Sequence, residues 1–344
     1  MPADRPARPA AVLAVDGGNS KADVALVGHE GELLAALRGG TISHQAVGLE
    51  PGMDRLATLV ERLRTEAGLA ANGPVAEIGV YSVAGADFPS DERLLARALG
   101  RRRFAAADVV LNDSFGALRA GTDRGWGVVL ICGQGVNAAA VAPDGRSARF
   151  PAVGDISGDW GGGTSVGMAG LAAAVRARDG RGPRTALERL VPARFGLRRP
   201  DAVTRALYDG RIRGGRIGEL SPVVFAAARE GDAVARSIVD RLATELATMA
   251  NALIRRLRLR RLDVEVVLGG GVFRADDPAF FAALESQIRD LAPAARLVHL
   301  KAPPVVGAAL IGLDRLARST IPEESAAGLR RAFAAWRPAE PGRD

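Results

Sequence analysis

Five glycine-rich or acidic loops of this chain follow apolar runs, the place where an α/β sheet puts its ligands. The first is Asp16-Gly17-Gly18-Asn19-Ser20-Lys21. Its backbone N–H groups can form a nest for phosphate oxygens, and glycine lets a phosphate come close. Asp16, at the end of a strand, offers the hard oxygen that Mg²⁺ prefers. A second loop, Gly133-Gln134-Gly135, repeats the nest in the other half of the chain. Two facing nests can hold the polyphosphate of a nucleotide between two domains, whereas either alone is also compatible with a plain tight turn. Asp113 closes the apolar run Val109 to Leu111. A carboxylate there can take the proton of a hydroxyl that attacks a γ-phosphate. It can equally serve as N-cap in Asn112-Asp113-Ser114, and the two roles are compatible.

The fourth loop runs from Gly154 to Thr164 and contains Asp159-Trp160-Gly161-Gly162-Gly163. Asp159 can bind sugar hydroxyls, and Gly161 to Gly163 allow close approach at a helix start. Trp160 is either a sugar-stacking ring or part of a structural loop. The fifth, Gly269-Gly270-Gly271, ends a strand and offers bare backbone to an adenosine moiety; a simple turn would need fewer glycines. His44, in Thr41-Ile42-Ser43-His44, has a packed or hydrogen-bonded side chain as its plainer alternative. There is no GxxxxGK[ST], no GxGxxG between strand and helix, and no HRD–DFG set. That excludes a P-loop NTPase, a dinucleotide fingerprint and a protein-kinase core.

The elements that must position these loops are legible as periodic runs. Ala11 to Val15, Ala22 to Val27 and Leu33 to Leu37 predict a β-meander. Met53 to Ala67 has helical apolar spacing, Ile78 to Val83 is a strand ending in Ala84-Gly85-Ala86-Asp87, and Asp91 to Leu99 is a helix. The opening pattern then returns. Val128 to Cys132, the glycine loop, Asn137 to Val141 and the turn at Asp144-Gly145 repeat it, with Gly31 and Gly145 in equivalent places 114 residues apart. This predicts an internal duplication. Helices are expected over Thr164 to Arg176, Arg184 to Leu190, Asp201 to Tyr208, Ile217 to Glu230 and Asp232 to Leu257. Val264 to Leu268 and Arg296 to Leu300 are strands; Pro278 to Leu291, Val305 to Leu316 and Glu323 to Trp336 are helical. The expected organisation is a disordered segment 1–10, a first domain 11–116, a second domain 117–318 with a helical insertion about 164–260, and a C-terminal helix and tail 319–344.

The 344 residues suit two domains, and 48% hydrophobic with 25% charged residues is ordinary globular chemistry. The single cysteine, Cys132, excludes an intramolecular disulfide, a CxxC zinc site and a cysteine-bound iron–sulfur cluster within one chain. The formal charge is +7, and only Lys21 and Lys301 are lysines. Such a balance suits either a nucleic-acid partner or a compositional bias that also favours Ala and Gly. Aromatic residues are only 4%, too few for stacking platforms, so no nucleic-acid partner is expected. The uncharged stretch Trp126 to Pro143 is interrupted by Gly133-Gln134-Gly135 and Asn137. No membrane span or signal peptide is therefore expected, and a cytoplasmic location is the default.

The ordered set Asp16 to Lys21, Ser43-His44, Ala84 to Asp87, Asn112-Asp113, Gly133 to Asn137, Gly158-Asp159, Gly269 to Gly271 and Pro303-Pro-Val-Val-Gly-Ala-Ala resembles the BadF/BadG/BcrA/BcrD ATPase family. It is most similar to that family's N-acetylglucosamine kinase branch, over about residues 11 to 315. The resemblance implies an α/β, duplicated actin-like (ribonuclease H-like) fold with two domains around a nucleotide cleft. It implies ATP-Mg²⁺-dependent phosphorylation of an amino sugar on its 6-hydroxyl, with domain closure excluding water. In that reading Asp113 is the base. Asp16 to Lys21 (Asp16, Gly17, Gly18, Asn19, Ser20, Lys21) and Gly133, Gln134, Gly135 hold the phosphates, with Asp16 on the metal, and Gly270 and Gly271 meet the adenosine. Ser43, His44, Gly85, Asp87, Asn137 and Asp159 shape the sugar site, and a homodimer is a family-level expectation.

The departures fall mostly in the sugar site. Ser43 stands where Asn is usual, Ala84-Gly85-Ala86 replaces Ser-Gly-Gly, and Ala152-Val153-Gly154 replaces Gly-Trp-Gly. Trp160 and Gly162 interrupt the usual Gly-Asp-Glu-Gly-Ser, and Gln134 replaces Thr or Ser. ATP use is thus closer to the family than the sugar pocket is. The other readings are a nucleotide-binding ATPase or regulator without sugar kinase activity, and an electron-transfer ATPase, which needs more cysteine than Cys132. A ROK-type kinase is disfavoured by the absence of its cysteine-rich zinc motif.

Overall fold

The computed structural model describes residues 9–337. Residues 1–8 of the segment expected to be disordered lie outside the described residues, and Ala10 already belongs to a strand. Contacts divide the chain into two compact units. One holds the chain up to Gly127, with Pro143–Gly145 and the chain from Leu300 on; the other holds Val128–Ala142 and Arg146–His299.

In the first unit, β1 (Ala10–Gly17), β2 (Lys21–Val27) and β3 (Leu33–Gly40) form the meander. Then come α1 (His44–Val47), α2 (Leu49–Glu66), β4 (Ala76–Val83), α3 (Pro89–Arg102), β5 (Ala105–Asn112) and α4 (Asp113–Gly121). The sheet order is β3-β2-β1-β4-β5, antiparallel through the meander and parallel across β1, β4 and β5. Side chains of β1 alternate between two cores. Leu13 and Val15 join Leu56 and Leu63 of α2, while Val12 and Ala14 face the other way. Burial on both faces explains why β1 is a continuous apolar run. Leu13, Leu56 and Leu63 are fully buried, each adding about 1.5–3 kcal/mol.

The second unit repeats the plan with β6 (Gly127–Cys132), β7 (Val136–Val141) and β8 (Ser147–Arg149), followed by five helices. These are α5 (Gly162–Asp179), α6 (Leu187–Arg194), α7 (Pro200–Tyr208), α8 (Ser221–Arg229) and α9 (Ala233–Arg256). β9 (Glu265–Gly269), α10 (Pro278–Arg289) and β10 (Arg296–His299) complete it. Its order, β10-β9-β6-β7-β8, matches the first sheet strand for strand. Gly31 and Gly145 both adopt the left-handed conformation, at φ 85° and 83°, in the turn between the second and third strands of their sheets. The duplication is therefore a property of backbone conformation as well as of residue type. The single helix expected over Ile217 to Glu230 is instead a 3₁₀ turn, Gly214–Leu220, followed by α8. Pro222 sits in the first turn of α8, where its missing N–H costs nothing.

The last two helices, α11 (Pro304–Ala317) and α12 (Glu323–Ala335), pack with the first unit, although residues to 318 were expected to close the second domain. The cause is packing across the sheet face formed by Val12, Ala14 and Val80, which Val305, Leu310 and Leu313 cover together with Leu329 and Phe333. Gly307 brings α11 against α4 so closely that a Cβ there would meet the Gly116 carbonyl and stand 2.7 Å from the Ala120 amide. Gly307→Ala is therefore expected to lower the denaturation free energy by about 1–3 kcal/mol, or more if α4 cannot shift. Urea denaturation checks this; an unchanged midpoint would show the contact to be loose.

Candidate active site

In the turn of the β1–β2 hairpin Gly18 N–H donates to Lys21 O at 2.9 Å. Among the described residues the Asn19 and Ser20 amides, exposed at the tip, make no hydrogen bond. They are free to meet an anion. Thr41 Oγ1 donates to Gly18 O at 2.8 Å and accepts the Ser43 amide at 3.1 Å, so one hydroxyl ties this loop to the turn carrying Ser43 and His44. Lys21, expected among the phosphate ligands, holds its ammonium 3.6 Å from Asp23.

Asp16, Asp23 and Arg38 lie in a row across β1, β2 and β3. Asp23 is buried, and Arg38 grips it through two bonds of 2.6 and 2.9 Å. Like charges directly opposite on neighbouring strands are unfavourable. Burial, then the Asp113 and Asp23 carboxylates, push the Asp16 carboxyl up to about 8, while Lys21 and Arg38 pull the other way. A crowded, desolvated carboxylate of this kind suits a cation. Among the described residues no group of three or more His, Cys, Asp or Glu could hold a metal. Asp16 alone would offer Mg²⁺ one carboxylate, and that ion takes one or two and completes its shell with water and substrate phosphate.

Asp113 is the first residue of α4, and the cap is Asn112. Asn112 Oδ1 accepts the Ser114 amide at 3.2 Å and the Ser114 hydroxyl at 2.6 Å. The capping role thus falls to the neighbour, and Asp113 enters at the positive end of the helix dipole. Ser82 of β4, which was not among the expected residues, stands opposite Asp16 in the sheet. Its hydroxyl donates to the Asp113 carbonyl at 3.3 Å and accepts the Gly116 amide at 3.2 Å, bracing the first turn of α4. The only sequence signal for it is a serine in the apolar run Ile78 to Val83.

Asp87 joins the same network. It accepts Asn112 Nδ2 at 3.2 Å on one oxygen and Gln45 Nε2 at 3.2 Å on the other. Gly85 turns the chain with φ 84°, and a Cβ there would stand 2.9 Å from His44 Cε1. Ser43 caps α1 by position only; among the described residues its buried hydroxyl and His44 Nδ1 have no hydrogen-bond partner. The first unit therefore gathers Ser43, His44, Gly85 and Asp87 about the start of α4.

In the second unit, the Gly133 and Gln134 carbonyls accept the Gly163 and Thr164 amides at 2.7 and 3.0 Å. The start of α5 thus anchors the loop. Gly133 N–H is taken by Gly135 O at 2.9 Å. Among the described residues the Gln134 and Gly135 amides make no hydrogen bond. Gly133, Gly135 and Gly271 need no unusual φ, and a Cβ on any of them would meet nothing within 4 Å. Neither strain nor crowding requires glycine at these three positions. Gly270 differs: its φ is 105°, and a Cβ would strike the Cys132 backbone.

Gly133, Gln134 and Gly271 share the wall of a cavity of about 520 Å³ with Phe225 and Pro222 of α8 and with Val272. That volume suits a small ligand. The α8 wall had no signature in the sequence. Gly271→Val is expected to change stability by no more than about 0.5 kcal/mol and to weaken nucleotide binding about tenfold or more, 1.4 kcal/mol. Titration calorimetry with an ATP analogue, alongside a melting curve, measures both.

Asn137 lies on β7 and is half-buried. The Asp159 carboxylate accepts the Ser157 hydroxyl. The Arg241 guanidinium of α9 lies 4.0 Å from the ring centre of Trp160 and covers one of its faces. Cys132 is fully buried, and burial pushes its thiol up to about 12.

Among the described residues no helix is long and apolar enough to cross a membrane. Two curated relatives are each 29% identical to this chain. One is the N-acetyl-D-glucosamine kinase of Dictyostelium discoideum, matched over 207 residues, 59% of this chain and 64% of that protein. The other is the N-acetylmuramic acid/N-acetylglucosamine kinase of Clostridium acetobutylicum, over 189 residues, 55% of this chain and 62% of that one. The chain thus spans less than two thirds of each. A structure from Chromobacterium violaceum, solved as a candidate N-acetylglucosamine kinase, superposes with a TM-score of 0.68 at 23% identity, covering 88% of this chain and 98% of that one. A ROK hexokinase from Thermus thermophilus superposes at 0.53 with 21% identity, over 90% and 99%. These likenesses and the paired sheets make the fold the duplicated actin-like one. Residues 13–312 match the family throughout, and the chain belongs to the BadF/BadG/BcrA/BcrD ATPase family.

Proposed function

We propose that this chain is an ATP-dependent sugar kinase that phosphorylates the 6-hydroxyl of N-acetylglucosamine or a related amino sugar. The observation that carries this reading is Asp113. It is relieved of capping by Asn112, braced by Ser82 and coupled to Asp16, at the point where Ser43, His44, Gly85 and Asp87 converge. The kinase relatives at 29% identity support the substrate class.

In this mechanism the Asp113 carboxylate accepts the proton of the sugar hydroxyl as its oxygen forms a bond to the γ-phosphorus and the bond to the β-phosphate oxygen breaks. The free amides of Asn19 and Ser20, and those of Gln134 and Gly135, supply hydrogen bonds to phosphate oxygens. Asp16 would hold Mg²⁺, which neutralises phosphate charge when bound. Asp87 and His44 orient the sugar, and the cavity of the second unit takes the adenosine. Asn137 and Asp159 complete the proposed sugar contacts. A sugar pocket that departs from the family's pattern leaves the acceptor among N-acetylated sugars, muramic acid derivatives and hexosamines.

The test is an ADP-release screen across N-acetylglucosamine, N-acetylmuramic acid, free hexosamines and neutral hexoses. Stimulation by one amino sugar, with a 6-phosphate product by NMR, is the expected result. ADP release that no sugar stimulates would identify a nucleotide-binding ATPase instead.

A further inference from the structure

The helix that carries Asp113 is held at its far end by residues beyond the 13–312 span shared with the family. α4 has nine residues, too few to be stable by its own hydrogen bonds. Its last carbonyls lack helical partners, as at any helix end. One guanidinium answers them. Arg330 of α12, 22% exposed, donates from Nε to Ala120 O at 3.1 Å, and from Nη2 to Thr122 O at 3.1 Å and Arg119 O at 3.5 Å. Its Nη1 meets Asp123. A cation at this end also opposes the negative pole of the helix dipole.

A second arginine reinforces the grip. Arg119 is 3% exposed, pairs with Asp314 of α11 through bonds of 2.7 and 3.3 Å, and donates to Thr122 O at 2.9 Å. Asp314 also accepts the Ile321 amide at 2.8 Å, which fixes the link from α11 to α12. α12 itself is seated by Ala326, Leu329 and Phe333, all buried, and Trp336 lies edge-on to Phe333 with ring centres 5.6 Å apart.

We propose that α12 is a positioning helix for the candidate base, with Arg330 as the positioning residue. α4 is pinned at its start by Ser82 and Asn112 and at its end by Arg330. The direction of the helix, and with it the place of the Asp113 carboxylate, is set by both ends. The kinetic arm of this inference rests on the kinase reading; the exchange arm does not.

The experiment compares full-length wild type with Arg330→Gln and Arg330→Lys by hydrogen exchange and by kinetics. Leu63→Ala, in the buried face of α2, serves as a destabilised control remote from α4. In Arg330→Gln, exchange of the Gly116 amide, which is bonded to Ser82 at the opposite end of α4, is expected to rise about tenfold; Arg330→Lys restores part of the protection. Faster exchange confined to the last turn, with Gly116 unchanged, would overturn the proposal whatever reaction the protein performs. For sugar phosphorylation, Arg330→Gln is expected to lower kcat about 10- to 100-fold with both KM values within about twofold, while Leu63→Ala keeps kcat. An equal loss of kcat in both variants would reduce Arg330 to a structural role. If wild type phosphorylates no sugar, the kinase reading fails, and the exchange result still decides the role of α12.

Discussion

Asp113→Asn is expected to lower the turnover of sugar phosphorylation by about 10²- to 10⁴-fold, the contribution of a positioned general base. The thermal midpoint of the variant should not fall. The cap of α4 is Asn112, so the substitution leaves the bonds to Ser114 intact. It also removes a negative charge that opposes ionisation of Asp16. Asn112→Ala makes the converse case, losing about 1 kcal/mol of helix stability. Steady-state kinetics and melting curves on the two variants separate the roles. Full turnover in Asp113→Asn would remove Asp113 from the mechanism.

The second large effect belongs to Asp16, which trades stability for charge. Its carboxyl, ordinarily ionising near 3.8, is pushed up to about 8 by burial and by its acidic neighbours. The unfolded chain therefore releases this proton at a lower pH than the folded one does. The ligand-free protein loses stability through this group as pH rises from about 4 to about 8, and the loss is complete above 8. Asp16→Asn removes that slope. It should melt higher than wild type at pH 9, by about 2–4 °C for each kcal/mol recovered, and no higher at pH 4. Phosphoryl transfer should be lost in the same variant, and Mg²⁺ should stabilise wild type more at pH 9 than at pH 6. Melting curves of equal pH dependence in the two proteins would show that Asp16 ionises normally.

Much of the fold was legible because its signals are local. Each apolar run ending at a glycine or an aspartate became a strand ending at a loop, and the repeated hairpin became a repeated sheet. The loops around Asp16, Gly133 and Gly271 were visible for the same reason. What escaped was carried by partners far apart in the chain. Arg119 and Asp314 are separated by 195 positions, and Arg330 reaches Ala120 across 210; no periodicity foretells such pairs. Asn112 and Asp113 are both good caps, so the one-residue question of where α4 starts needed coordinates. The membership of α11 in the first unit turned on a sheet face, Val12, Ala14 and Val80, far from it in the chain, and Gly307 has its reason in the backbone of α4 opposite it rather than in its own neighbours. Likewise nothing near Trp160 in the chain announced Arg241, 81 positions away, as its stacking partner.

The burial of Cys132 has a practical side. Its thiol is fully buried next to the second glycine loop in the chain, and burial pushes it up to about 12. Thiolate is the reactive form, so alkylating dyes and spin labels should pass the native residue by. The natural chain is thereby a ready background for single-site labelling, with no prior replacement of its cysteine. A cysteine introduced at Ile156, which is 90% exposed, would be the only site a maleimide finds, and it would place a fluorescent reporter three residues from Asp159.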